Sequence, residues 1–189
     1  ATKDPNAKKQ RSTTNSCNTI RDAVDNLDKR LKVMAIDNSM IAKLMENLEK
    51  FNTTTKPGNS QIFVLFFPPS TCKESNQTFG NQTGNELATS GIDIENVSVI
   101  EIFPFYHTTA ANKFDQKLFS NLYDNNKEFQ NAINKYICDC FTIEMKATEF
   151  GNQKKTVYIG GQQAQKVYRE AFSENLVTRE PEQDGEIYL

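Results

Sequence analysis

The sequence predicts an α/β protein, with an α+β arrangement as the alternative, in which a long N-terminal helix precedes a domain of strands and helices. The run Ile62–Phe67 is apolar at every position, which predicts a strand that is buried on both faces, and the largely apolar segment Val97–Phe103 predicts a second buried strand. Prolines follow both runs and end them, since proline donates no backbone hydrogen bond. The helix is indicated by an apolar repeat in steps of four and three residues between Ile20 and Leu48.

Length and charge limit the classes of function. The chain of 189 residues is long enough for one domain with an appendage, and its net charge of −2 gives no field that attracts nucleic acid or an anionic membrane. No apolar stretch approaches the roughly 20 residues that a membrane-spanning helix requires. We therefore expect neither a nucleic-acid partner nor a membrane span. Residues 1–17 are polar and predict a flexible tail.

The segment 18–52 predicts one long helix or coiled-coil stalk. Asn18 or Ser16 is suited to cap its start, and Asp22 favours the helix dipole. The heptad pattern makes its repeating positions candidates for oligomerisation. These positions are Val24, Leu27, Leu31, Met34, Asn38, Ile41, Met45 and Leu48.

The same pattern also fits a helix that packs against its own domain. Val33, Ile36 and Met40 fall on nominally exposed positions of the heptad, and 37–39 could cap a second helix and divide the run. Self-association and intramolecular packing both remain open at this point. Residues 53–59 read as a linker by composition.

The segment 60–177 predicts the α/β domain, and 178–189 predicts a loose acidic tail. After the two buried strands, the pattern predicts helices over 113–123 and 127–137, and the second should bury the face that carries Phe129, Ala132, Ile133, Tyr136 and Ile137. Alternating residues over 141–147 predict a half-exposed strand, with 156–159 as its hairpin partner. Gly160-Gly161 then opens a last helix, and we interpret the glycines as a strand-to-helix turn.

This order of elements resembles the thioredoxin fold. Phe67 stands five residues before Cys72, and the motif Cys72-Lys73-Glu74-Ser75 is similar to the Cys-x-x-Ser form of monothiol family members. The resemblance implies Cys72 as nucleophile with Ser75 beside it. It departs from the family where Cys138-Asp139-Cys140 replaces the cis-proline region and Thr71 replaces a tryptophan.

The resemblance also places Cys138 and Cys140 at the start of the strand beside Cys72. A disulfide from Cys72 to one of them is then implied, and Cys17 is the fourth candidate. A metal centre is not predicted, because His107 is the single histidine and Cys138-x-Cys140 lacks the spacing of a structural zinc site. We expect no cofactor.

Glycosylation sequons are found at Asn52, Asn76, Asn81 and Asn96. They favour an extracytoplasmic or secretory location without establishing a compartment, which is otherwise unknown.

Two classes of function follow from the sequence. The first is a non-catalytic interaction or assembly protein, a helical stalk with an α/β head that binds a protein partner or itself within a larger complex. The alternative is a monothiol thioredoxin-like oxidoreductase, or a thiol-dependent binding factor, that uses Cys72.

Overall fold

A computed structural model describes residues 17–50, 61–65, 88–91, 97–107, 114–147, 156–173 and 186–188. Within these ranges the fold is mixed α/β. Its elements in chain order are α1 (Ile20–Asp37), α2 (Ser39–Met45), β1 (Leu48–Lys50), β2 (Gln61–Leu65), β3 (Val97–Glu101), β4 (Phe105–His107), α3 (Gln116–Asn125), α4 (Lys127–Ala147), β5 (Thr156–Gly160), α5 (Gln162–Ser173) and β6 (Glu186–Tyr188).

The main sheet has the strand order β3-β2-β5-β6, and all its neighbouring strands are parallel. Strand β2 lies between β3 and β5, which confirms the central strand predicted over Ile62–Phe67 as far as Leu65. Phe66 and Phe67 of that prediction lie outside the described residues. Leu65 is in register with Glu101 on one side and with Gly160 on the other. The carboxyl ends of β2, β3 and β5 therefore meet at one edge of the sheet.

The predicted hairpin between 141–147 and 156–159 is wrong. Helix α4 continues through Ala147, and β5 pairs in parallel with β2 and β6 instead. The helical period explains this continuation, because Tyr136, Cys140, Phe141 and Glu144 all lie on the buried face of α4. A helix that is already formed extends at little cost, so the short alternation that begins at Phe141 does not start a strand.

The predicted long helix over 18–52 is also wrong in its extent. It divides at Asn38, whose side-chain Oδ1 accepts hydrogen bonds from the backbone N–H groups of Met40 (3.0 Å) and Ile41 (3.3 Å). Asn38 thus caps α2, which is the second of the two interpretations of this residue. The cap of α1 is Thr19 rather than Asn18 or Ser16, and Asp22 completes a capping box with it.

Helix α1 is no free stalk, because it packs against α4. Its apolar stripe contributes Val24, Leu27 and Leu31 to the same core as Ile133 and Ile137 of α4. Helix α4 also contacts α3, α5 and β3. The predicted buried face of α4 is confirmed, and α4 is the element around which the helical layers assemble.

A two-stranded antiparallel ribbon joins β1 to β4. The Tyr106 hydroxyl donates to a Glu49 carboxylate oxygen at 2.7 Å across this ribbon. Lys50 pairs with Asp25 of α1, with 2.5 Å between Nζ and Oδ1. Leu48 therefore belongs to a strand rather than to the predicted helix. Strand β6 likewise lies within 178–189, so that segment does not consist entirely of a loose tail.

An aromatic cluster fills the core between β4, α3 and α4. Phe103 contacts the rings of Phe105, Phe114 and Phe119, with ring centroids 4.7–5.4 Å apart. Phe119 also meets Phe129 edge to face at 5.6 Å. Such contacts add about 0.5–1.5 kcal/mol per pair beyond the burial of area. The cluster fixes α3 and the start of α4 beside the ribbon.

Candidate functional site

Three large apolar side chains are exposed at the corner where α1 meets α2. Val33 is 66% exposed, Ile36 is 80% exposed and Met40 is 41% exposed. They are the exposed large hydrophobic residues among those whose side chains the structure describes, and all three lie at this corner. Isolated exposed apolar residues are ordinary on a protein surface, whereas a group of them marks an interaction site. We call this group the α1–α2 patch.

The local structure explains why these three side chains lie together. Val33 and Ile36 are three residues apart on α1, so their side chains are neighbours on one face of the helix. The Asn38 cap turns the chain and starts α2 one residue later, with Met40 in its first turn. The opposite face of the corner is anchored in the core by Met34, Ile41 and Leu44.

The candidate oligomerisation residues are not part of this surface. Five of them, Val24, Leu27, Leu31, Met34 and Ile41, are buried in the chain's own core. Met45 and Leu48 are partly buried against that core, and Asn38 caps α2. The heptad stripe is thus covered within the chain, which supports the intramolecular interpretation of the pattern.

The carboxyl edge of the parallel sheet is a second region of interest. In open parallel sheets, ligands bind in the crevice outside the carboxyl ends of the strands, where the strand order reverses. Here that position lies between β2 and β5, and Gly161 follows β5 with φ of +84°. This left-handed conformation favours glycine, so Gly161 supplies the turn that starts α5. The predicted strand-to-helix turn is confirmed.

Two polar groups are notable near this edge. Glu101, the last residue of β3, is buried, and desolvation raises its pKa to about 8. The Gln163 side chain accepts a hydrogen bond from the Ser120 hydroxyl (2.9 Å), while its buried Nε2 has no partner among the described residues. Both groups are suited to hydrogen bonding with a polar ligand, although no group in the described part of the chain completes a catalytic set with them.

A pair of buried titratable side chains lies on α4. Desolvation raises the pKa of the Cys140 thiol, and desolvation followed by the proximity of Cys140 and Glu101 raises the pKa of Tyr136. The Tyr136 hydroxyl is hydrogen-bonded to Cys140, a contact that favours the thiolate but does not offset burial. Cys140 is therefore a neutral thiol at neutral pH and a weak nucleophile.

The other two described cysteines, Cys17 and Cys138, form hydrogen bonds to neighbouring parts of the fold. The Cys17 thiol lies 3.7 Å from Asp139 Oδ2 and accepts a hydrogen bond from the Asn26 amide. Burial and then Asp139 raise its pKa. The Cys138 thiol donates to the Ala171 carbonyl oxygen of α5 at 3.4 Å. No disulfide joins Cys17, Cys138 and Cys140 to one another or to another described residue.

The expected placement of Cys138 and Cys140 at the start of a strand is wrong, because both lie within α4. Two residues apart on a helix, they point in nearly opposite directions, one to α5 and the other into the core. Cys72 and Ser75 lie outside the described residues, so their proposed roles stay predictions. The four sequon asparagines, Asn52, Asn76, Asn81 and Asn96, lie outside them as well.

His107 is buried at the end of β4. Neither its Nδ1 nor its Nε2 has a hydrogen-bond partner in the described ranges. The described residues also contain no group of three or more His, Cys, Asp and Glu side chains placed to hold a metal ion. Among the helices that the structure describes, none has the length and apolarity needed to cross a membrane.

Comparisons with protein-family models, with curated proteins and with solved structures give no match to this chain. The described residues by themselves define the class of the protein, which is a mixed α/β protein with a parallel sheet of order β3-β2-β5-β6.

Sequence reasoning noted Val33, Ile36 and Met40 only as exceptions to the heptad. Their spacing of three and four residues already placed them on one helical face, and the break at Asn38, which the sequence left open, keeps all three at one exposed corner. The sequence analysis also missed Glu101, although an acidic residue within a largely apolar segment of seven residues was a usable signal.

Proposed function

We propose that this protein is a non-catalytic interaction protein that binds a protein partner through the α1–α2 patch, as a subunit of a larger complex. The observation that carries the proposal is the gathering of Val33, Ile36 and Met40 at one exposed corner, while the adjacent heptad stripe is buried. The proposal keeps the interaction role expected from the sequence but moves the binding surface to the opposite face of α1.

The energetics favour a partner over exposure to water. Covering an aliphatic side chain of this size contributes about 1.5–3 kcal/mol. Because the three side chains are 66%, 80% and 41% exposed, they amount to about two fully exposed side chains, and covering them contributes about 3–6 kcal/mol, which overlaps the low end of the roughly 4–15 kcal/mol cost of association. The patch therefore supplies the apolar centre of an interface, and polar contacts at its rim supply the rest.

Site-specific photo-cross-linking in the organism's own cells tests this function. A benzoylphenylalanine introduced at Ile36 should cross-link to one protein, whereas the same group at Asn131, exposed on α4, should not. The cross-linked protein, once identified and purified, should bind the wild-type chain and lose binding to Val33→Asp/Ile36→Asp, with Asn131→Asp as the matched control.

Two results would contradict the proposal. The first is equal cross-linking from positions 36 and 131. The second is a purified pair whose affinity is unchanged in the Val33→Asp/Ile36→Asp variant, provided that circular dichroism shows the variant to be folded.

A further inference from the structure

We infer that the partner segment bound by the α1–α2 patch carries apolar side chains flanked by Asp or Glu. This inference rests on the proposed function and specifies the chemistry of the partner. It is based on the charged residues that surround the patch.

The neighbours of the patch follow from helical spacing, because residues three and four apart share a face. Around Val33 and Ile36 these neighbours are Lys29, Arg30, Lys32 and Asp37, and beside Met40 the neighbour is Lys43. All five are exposed. Four cations thus surround the three apolar side chains, against one anion.

Most of these cations are free to meet a partner. Lys32 pairs with Asp28, at 2.8 Å between Nζ and Oδ2, but its side chain is still 69% exposed. Lys29, Arg30 and Lys43 have no ion pair within the described residues. The field of these cations would attract a partner that carries negative charge, and ion pairs with them would fix the register in which the partner binds.

The same charges disfavour a second copy of the chain as the occupant. A contact between two copies through this patch would bring Lys29, Arg30, Lys32 and Lys43 of each copy to the same interface, with Asp37 as the one anion that each copy contributes. This excess of like charge opposes self-association. A partner with acidic flanks removes this repulsion.

Two synthetic peptides test the inference on the full-length chain. Both are amphipathic helices with Leu at three positions spaced i, i+3 and i+7; one has Glu at all flanking positions and the other has Lys there. Fluorescence anisotropy should show the Glu peptide binding at least about tenfold more tightly than the Lys peptide, a difference of about 1.4 kcal/mol. Added salt should reduce this preference.

Three variants assign the binding to the patch. Val33→Asp/Ile36→Asp should abolish binding of the Glu peptide, and Asn131→Asp should leave it unchanged. Lys29→Glu/Arg30→Glu/Lys43→Glu should reverse the preference, so that the Lys peptide binds more tightly.

The possible outcomes separate the inference from the proposed function. Equal binding of both peptides, lost in Val33→Asp/Ile36→Asp, would overturn the acidic-partner inference and leave the binding surface intact. Failure of both peptides together with a dimer that Ile36→Asp dissociates would make a second copy the occupant and overturn the inference. Binding of the Glu peptide that Val33→Asp/Ile36→Asp does not weaken would contradict the patch itself.

Discussion

Glu101 interrupts an apolar run that is buried on both sides of the sheet. Ile100 and Glu101 point to opposite faces of β3 because strand side chains alternate, and both are buried. A carboxylate in this position has lost its water, and none of the described residues pairs it with a cation, so it holds its proton up to about pH 8. The folded state therefore binds a proton that the unfolded chain releases above about pH 4.5.

The stability of the protein should depend on pH through this residue. Since the pKa of Glu101 is raised in the folded state, the contribution of this residue to stability is fully present below about pH 4.5 and is lost as the pH rises to about 8, because the unfolded chain releases its proton first. The free energy of unfolding of the wild type relative to Glu101→Gln should fall across this window by an amount on the order of 2–5 kcal/mol. Urea unfolding at a series of pH values measures it, with Glu128→Gln as the exposed control. A difference that is constant with pH, or that grows, would refute the assignment.

Replacing Asn38 by leucine is expected to change the stability of the protein in opposite directions under the two interpretations of α1. In a coiled coil it is a polar residue at a core position, so Asn38→Leu would raise stability. In the structure its side chain caps α2 through Met40 and Ile41, so Asn38→Leu should destabilise the protein by about 1 kcal/mol. Asn38→Asp keeps the cap and should be nearly neutral. Thermal unfolding of the three proteins decides between the interpretations, and a higher melting temperature for Asn38→Leu would count against the cap.

At the scale of elements, helix α4 shows where a local pattern is insufficient. Residues 127–137 have a clear helical period, and the sequence predicted this helix and its buried face correctly. The following residues, Phe141 to Ala147, alternate as a strand does, yet they continue the helix. Five to seven residues fit both periods, and packing against α1 and α5 selects the helix. The loss of the predicted hairpin removes one of the two sequence matches on which the thioredoxin resemblance was based.

Thr142 offers a direct test of this segment. It is exposed on α4, and its hydroxyl donates to the Cys138 carbonyl oxygen at 2.9 Å. Alanine has a higher helix propensity than threonine and a lower strand propensity. Thr142→Ala should therefore raise the free energy of unfolding by a few tenths of a kcal/mol. A decrease, with Thr142→Val more stable than the wild type, would indicate a strand at this position.

For the whole molecule, the sequence predicted the central strand, the second buried strand and the last helix. Each of these has a pattern that depends only on local burial. The sequence did not predict the parallel pairing of β5 or the β1–β4 ribbon, because pairing depends on residues far apart in the chain. Of the binding surface, the sequence placed Val33, Ile36 and Met40 on exposed positions but did not identify them as a binding site. An apolar stripe has the same spacing whether its cover is another molecule or α4, so only the fold could show that Leu31 lies in the core of its own chain.

Equilibrium urea unfolding of the wild type, Leu31→Ala and Ile36→Ala tests that assignment most directly. Each protein is unfolded at two protein concentrations about a hundredfold apart. If the core is intramolecular, the urea midpoint of unfolding should not depend on protein concentration. Leu31→Ala should lose about 2–5 kcal/mol, because it leaves a cavity between α1 and α4. Ile36→Ala should change the free energy of unfolding by less than about 0.5 kcal/mol. A midpoint that rises with concentration in the wild type and loses that dependence in Leu31→Ala would show instead that the heptad stripe holds two copies together, and would contradict the account.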